Sequence, residues 1–134
     1  MKSEKAKVEA RLDKEISRYI RMRFTNESGY VTCATCERYL YWKEGDCGHF
    51  QSRRYKIIRW HEWNALFQCK KCNNKDWNQG EQYKMSKSLD EQFGVGTSEL
   101  MESMRYKTMK FTIGELREKL EYFKEKAQRL ENSL

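Results

Sequence analysis

Residues 33–75 concentrate the side chains of this chain that can do chemistry: CATCERYLYWKEGDCGHFQSRRYKIIRWHEWNALFQCKKCNNK. Cys33 and Cys36 form one CxxC pair, and Cys69 and Cys72 form a second. Each CxxC turn aims two sulfurs at one point, so two turns complete the tetrahedral four-thiolate shell of a structural Zn2+. The gap between the pairs is long for a compact zinc ribbon. A functional insertion held at both ends explains it. The alternative to zinc is four buried or free thiols. The fifth cysteine, Cys47, neighbours His49. A zinc site on Cys47 and His49 would break up the better set, and Cys47 fits more simply as a small strand residue.

The insertion carries DCGHF, then Asn64, and Asn73 directly after the second pair. Phosphodiester hydrolysis needs a water deprotonated in line with the leaving oxygen, and a neutral imidazole does this at physiological pH. It also needs a cation to neutralise charge on the leaving 3′ oxygen. His49 is the candidate base. Asn64, presented from across a hairpin, would accept from the second imidazole nitrogen and fix the tautomer. Asp46 and Asn73 offer oxygen ligands suited to Mg2+ or Mn2+. A single histidine is more often structural than catalytic. The position of His49 between two zinc pairs, in a basic stretch, shifts that weighting. His61 fits a structural or DNA-facing role.

Charge points the same way. The chain has a formal net charge of +7, and residues 51–75 carry Arg53, Arg54, Lys56, Arg59, Lys70, Lys71 and Lys75 against Glu62 alone. Basic charge beside a candidate reaction centre implies a polyanionic substrate, and arginine forks interleaved with Tyr55 and Trp60 suit phosphates and unstacked bases. The bland alternative is a solvated basic loop, and four zinc-bound thiolates would add negative charge that the formal count omits. At 134 residues, with 38% hydrophobic and 35% charged residues, the chain can bury only a small core, which a metal staple would supplement. Cysteines in this spacing suit metal binding in a reducing cytoplasm rather than disulfides. No signal peptide or membrane-length apolar run is evident.

Flanking elements must hold the insertion. Residues 3–25 predict an amphipathic helix capped by Ser3, with Val8, Leu12, Ile16, Tyr19 or Ile20, and Phe24 at helical spacing. Arg11, Lys14, Arg18 and Arg21 lie on its polar side, and Arg18, Arg21 and Arg23 are candidate phosphate contacts. A strand at 30–32 leads into Cys33. The aromatic run 39–42 packs over the zinc site. Further strands are expected around 47–51 and at 57–60. Residues 73–79 begin a helix that Gly80 ends, 83–89 are ambiguous, and Thr97 or Ser98 caps a helix to about residue 110. Of Trp42, Trp60, Trp63 and Trp77, at least two belong to the core. Thr112 and Glu115 form a capping box. Ile113, Leu116, Leu120, Phe123, Ala127, Leu130 and Leu134 then make a heptad seam, which can pair with the N-terminal helix or with a second copy. The divisions are an N-terminal helix at 1–29, a zinc-containing core at 30–80 and a helical region at 81–134, together one compact unit.

CxxC, DCGHF, Asn64 and CKKCN resemble the zinc-containing branch of HNH (His-Me finger) endonucleases. The run DCGHFQSRRYKIIRWHEWNALFQCKKCN resembles the NinG (Rap) family of lambdoid phages, with weaker similarity through FTIGELREKLEYFKEKAQRL; together it covers roughly residues 20–133. The resemblance implies an α+β, mainly α fold: a zinc-stapled ββα-metal core flanked by helices. It implies recombination endonucleases that cut Holliday junctions and other branched DNA. It makes His49 the general base, Asn64 the middle Asn of HNH and Asn73 the last metal-binding position, where many members have His. Gly48 stands where an acidic residue often precedes the base. The implied setting is the host cytoplasm, with branched DNA as partner and a homodimer supplying two cuts. The rivals are an HNH nicking enzyme on duplex DNA and a non-catalytic zinc-stapled DNA-binding protein.

Overall fold

A computed structural model describes residues 1–74 and 81–134. Helix α1, Glu4–Met22, begins where the Ser3 side chain accepts the Ala6 N–H at 3.1 Å. Val8, Leu12, Ile16 and Ile20 recur every fourth residue and are buried. The last helix, α5, spans Ile113–Asn132 behind the expected capping box: Glu115 N–H to Thr112 Oγ1 at 3.1 Å, and Thr112 N–H to Glu115 Oε1 at 2.9 Å.

The apolar stripes of α1 and α5 face each other. Leu116 and Phe123 join Val8, Leu12, Ile16 and Ile20 in one cluster, and Ala127 joins Met22 in the next. Each of the larger side chains stabilises the fold by roughly 1.5–3 kcal/mol on full burial. Arg117 pairs with Glu4 at 3.6 Å and Arg18 with Glu131 at 2.8 Å. The same offset at both ends makes the two helices parallel. The heptad seam is therefore consumed within the chain, leaving Tyr122 and Leu134 as the exposed large apolar residues of this segment. Of the two partners that the sequence left open, the seam meets the N-terminal helix.

Between the helices lie two antiparallel hairpins. Strand β1, Tyr30–Thr32, pairs with β2, Tyr39–Tyr41, in the register Val31↔Leu40. The turn into β1 is tied by Asn26, whose Oδ1 accepts the N–H groups of Ser28 and Tyr30, both at 2.9 Å. After a single 3-10 turn at Trp42–Glu44, β3, Gly45–His49, pairs with β4, Ala65–Cys69, in the register Asp46↔Gln68 and His49↔Ala65. The knuckle is bonded to this sheet by Ala34 N–H to Phe67 C=O at 2.9 Å.

The return strand is β4, and residues 57–60 are not a strand. Lys56–Arg59 form the one-turn helix α2, and Ile58 is its buried residue. The short apolar-basic run had no periodicity to choose between the two. The ambiguous 83–89 segment lies in α3, Gln82–Phe93, and α4 spans Thr97–Met104 with Gly96 at its N-cap. Thr97 is thus the first helical residue rather than the cap, and the helix stops well short of residue 110. Met85, Leu89 and Met101 pack on Phe50 and Leu66. The architecture is mixed α+β and mainly helical. The helix expected from 73–79 and Trp77 fall largely outside the described residues. Among those described, no helix is long and apolar enough to cross a membrane.

Candidate functional site

The Cys33–Cys36 turn follows β1, and the Cys69–Cys72 turn closes β4, so the two hairpins deliver their sulfurs to one point. All four Sγ atoms lie within 4.8 Å of one another, and Cys36 and Cys69 are 3.7 Å apart. Sulfurs about 2.3 Å from a tetrahedral Zn2+ are about 3.8 Å apart. Backbone N–H groups support the ionised form: Cys69 N–H donates to Cys33 Sγ at 3.3 Å, and Cys72 N–H to Cys69 Sγ at 3.4 Å. Burial alone raises the Cys33 thiol, but donors from Cys69, Cys36 and Thr35 bring it down to about 6. Burial, with its sulfur neighbours, pushes Cys72 up to about 12. Four thiolates cannot coexist here without a central cation, so the donor set fits a structural zinc. Among the described residues, no other group of three or more His, Cys, Asp or Glu is placed to hold a metal. Cys47 stands apart, packed against the α1 core, and burial pushes its thiol up to about 12.

Beside the zinc cluster is a cleft of about 440 Å3 lined by Asp46, His49, Arg53, Lys70 and Asn73. His49 ends β3, opposite Ala65. Asp46 Oδ1 accepts Lys70 Nζ at 2.8 Å, and its Oδ2 accepts Asn73 Nδ2 at 3.2 Å. Turning the Asn73 amide over would present its oxygen beside the carboxylate, giving a hard cation one charged and one neutral protein donor. Such a cation would take the place of the Lys70 ammonium.

Asn64 sits behind this cleft and is fully buried. Its Oδ1 accepts Gln51 N–H at 2.9 Å and its Nδ2 donates to Gln51 C=O at 3.0 Å. It therefore clamps the backbone two residues beyond His49. Gly48 also has a structural reason. A Cβ there would lie 2.0 Å from Oε1 of the buried Gln68, so any side chain beside the base requires Gln68 to shift.

The basic residues divide. Arg53 and Lys70 line the cleft, and Lys71 is exposed on the second CxxC turn. Exposed Arg54 donates to Tyr55 Oη at 2.8 Å. Lys56 pairs with Glu9 at 2.9 Å while remaining about half exposed. Arg59 is a structural residue, not a free phosphate contact. Its Nε donates to Asp13 Oδ1 at 3.1 Å and its Nη2 to Oδ2 at 2.5 Å, while Trp60 Nε1 donates to the same carboxylate at 2.8 Å. Lys75 lies outside the described residues. Arg18 is held by Glu15 and Glu131, and Arg23 by the carbonyls of Glu62 and Ala65. His61 is on another face; its Nδ1 accepts Trp63 N–H at 3.1 Å and burial lowers its pKa. Trp42 and Trp60 are core residues, whereas Trp63 is partly exposed.

α1 and the 3-10 turn complete the cleft, through Asp13, Ser17, Arg21 and Lys43; of these the sequence offers only Arg21, as a candidate phosphate contact, and it misses Asp13, Ser17 and Lys43. Burial lowers the pKa of Arg21 below the ordinary arginine value. Nothing local in the sequence distinguishes Asp13, Ser17 or Lys43 from ordinary solvated positions.

A family model described as Bacteriophage Lambda NinG protein matches residues 1–133. The match extends over α1, beyond the 20–133 span of the motif resemblance. No curated protein and no solved structure matches the chain. The chain belongs to the lambda NinG protein family.

Proposed function

We propose that this NinG-family protein is a metal-dependent HNH-type endonuclease that hydrolyses phosphodiester bonds in branched DNA, such as four-way junctions, during phage recombination in the host cytoplasm. The observation that carries the reading is the convergence of His49, Asp46 and Asn73 on one cleft beside the four-cysteine cluster. A nuclease needs a base, oxygen donors for a cation and a basic approach, and these are the side chains gathered there. The zinc cluster holds the ends of the β1–β2 and β4 turns and takes no part in the chemistry.

An imidazole nitrogen of His49 takes the proton of the attacking water as the new P–O bond forms and the P–O3′ bond breaks. Asn64 holds the Gln51 backbone and so fixes the exit from β3 on which His49 sits. Asp46 and Asn73 would hold Mg2+ or Mn2+, which when bound neutralises charge on the leaving 3′ oxygen. Arg53 and Lys70 line the approach, and Arg54 and Lys71 lie exposed nearby; together they favour the polyanion. Cutting both strands of a junction calls for two active sites, and a second copy about a twofold axis supplies them. Because α5 spends its seam on α1, that copy must meet this one elsewhere.

The test is cleavage of a four-way junction beside a linear duplex of the same sequence, with Mg2+ or Mn2+. Preferential cutting at the branch is expected. Equal rates on both would replace junction specificity with general nicking.

A further inference from the structure

Four arginines near the cleft or its supports differ in what their forks touch. Arg18 faces two carboxylates, Arg23 two carbonyls, and Arg59 one carboxylate through two nitrogens. Arg21 has no carboxylate, and only its Nε meets a carbonyl. Its Nε donates to Ser17 C=O at 3.2 Å and to Ser17 Oγ at 3.1 Å, and its guanidinium lies 4.9 Å from the centre of the Trp42 ring. Among the described residues neither terminal nitrogen has a hydrogen-bond partner, and no carboxylate comes within 4.0 Å. Yet the side chain is partly buried and lines the cleft that holds His49, Asp46 and Asn73.

An arginine needed only to cover Trp42 would gain by having an acid on its fork. Here the stem is fixed at Ser17, the plane is fixed by the indole, and the two terminal nitrogens are left open at a cleft. That is a preorganised fork for a two-oxygen anion. We propose that Arg21 grips the phosphodiester at the reaction centre, making α1 part of the active site rather than only a support. The assignment rests on the nuclease reading for its place in catalysis, but its anion-binding part stands on this geometry alone.

The experiment compares wild type, Arg21→Ala, Arg21→Lys and Lys14→Ala, the last an equal charge loss on the exposed side of α1. Two readouts are taken on a synthetic four-way DNA junction: affinity in EDTA at several salt concentrations, and single-turnover cleavage with Mn2+. Arg21→Ala is expected to weaken binding about five- to tenfold and to lower the salt slope by about 1. It should slow cleavage by about 100-fold, beyond its binding loss. Arg21→Lys should recover binding but little of the rate, because a point charge cannot reproduce the fork. Lys14→Ala should stay within about twofold of wild type in both. If wild type never cuts but Arg21→Ala binds weakly with the reduced slope, the anion site stands and the nuclease reading falls. If Arg21→Ala keeps both affinity and rate within twofold while Lys14→Ala does the same, the proposal is overturned. It is equally overturned if the losses accompany a collapse in thermal stability that Arg21→Lys reverses together with the rate.

Discussion

Asn64 and Gln51 are joined by two hydrogen bonds, one from the Gln51 N–H to Asn64 Oδ1 at 2.9 Å and one from Asn64 Nδ2 to the Gln51 C=O at 3.0 Å. The asparagine is fully buried. Asn64→Ala would leave two backbone groups unpaired, at about 1–3 kcal/mol each. The expected loss is about 2–6 kcal/mol by chemical denaturation. Cleavage should fall further than stability alone explains, because the clamp lies two residues from His49. Asn64→Asp keeps the acceptor but sets a buried carboxylate oxygen against the Gln51 C=O, and should be at least as destabilised as Asn64→Ala. An Asn64→Ala protein as stable as wild type would refute the clamp.

Gly48 is required by Gln68 rather than by backbone conformation. A Cβ would meet Gln68 Oε1 at 2.0 Å. Overpacking of this kind costs about 1–3 kcal/mol, so Gly48→Ala should be destabilised by that amount. Shortening the opposing side chain with Gln68→Ala in the same protein should recover part of the loss. Simple additivity of the two changes would show that they do not meet.

Zinc removal tests the staple. Chelation under denaturant-free conditions should remove one zinc per chain, and the central hairpins should lose their structure, because the metal's binding energy is folding energy in so small a core. Buried Trp42 and Trp60 report the change by fluorescence. Cys69→Ser should bind zinc far more weakly, while Cys47→Ser should leave metal content unchanged. An unaltered spectrum after complete zinc loss would contradict the structural role.

His61 gives a pH signature of stability. Burial lowers its pKa below the ordinary 6.5. The unfolded chain therefore takes up a proton before the folded one as pH falls through 6.5. Stability should drop over that window and level off once the folded pKa is passed. His61→Gln, compared with wild type from about pH 5 to 7.5, should show a flatter dependence. Parallel curves for the two proteins would mean that His61 titrates alike folded and unfolded.

What the sequence made legible was local. The CxxC pairs carry their geometry in their spacing, Ser3 and the Thr112–Glu115 box mark helix starts, and the fourfold spacing of Val8, Leu12, Ile16 and Ile20 gives the buried face of α1. What stayed hidden depends on partners far along the chain. Arg59 looked like a phosphate contact until Asp13, 46 residues away, was found on its fork. The α5 seam could not name its partner, because an apolar stripe pairs equally well with any matching stripe, and α1 lies about 90 residues away along the chain. The 57–60 segment was misjudged because four residues are too few to show a period. Gly48 looked like a missing ligand, when Gln68 on the neighbouring strand fills the space.

The most direct measurement is cleavage of a labelled four-way junction by wild type and by His49→Ala, side by side, with Mg2+ or Mn2+ and with each variant's DNA affinity measured in EDTA. The expected result is branch-localised cutting by wild type that needs the cation, a loss of at least about 100-fold in His49→Ala, and junction affinity unchanged within a few-fold. Cutting by His49→Ala at the wild-type rate, or a zinc-loaded wild type that binds the junction and never cuts it with either cation, would contradict the account.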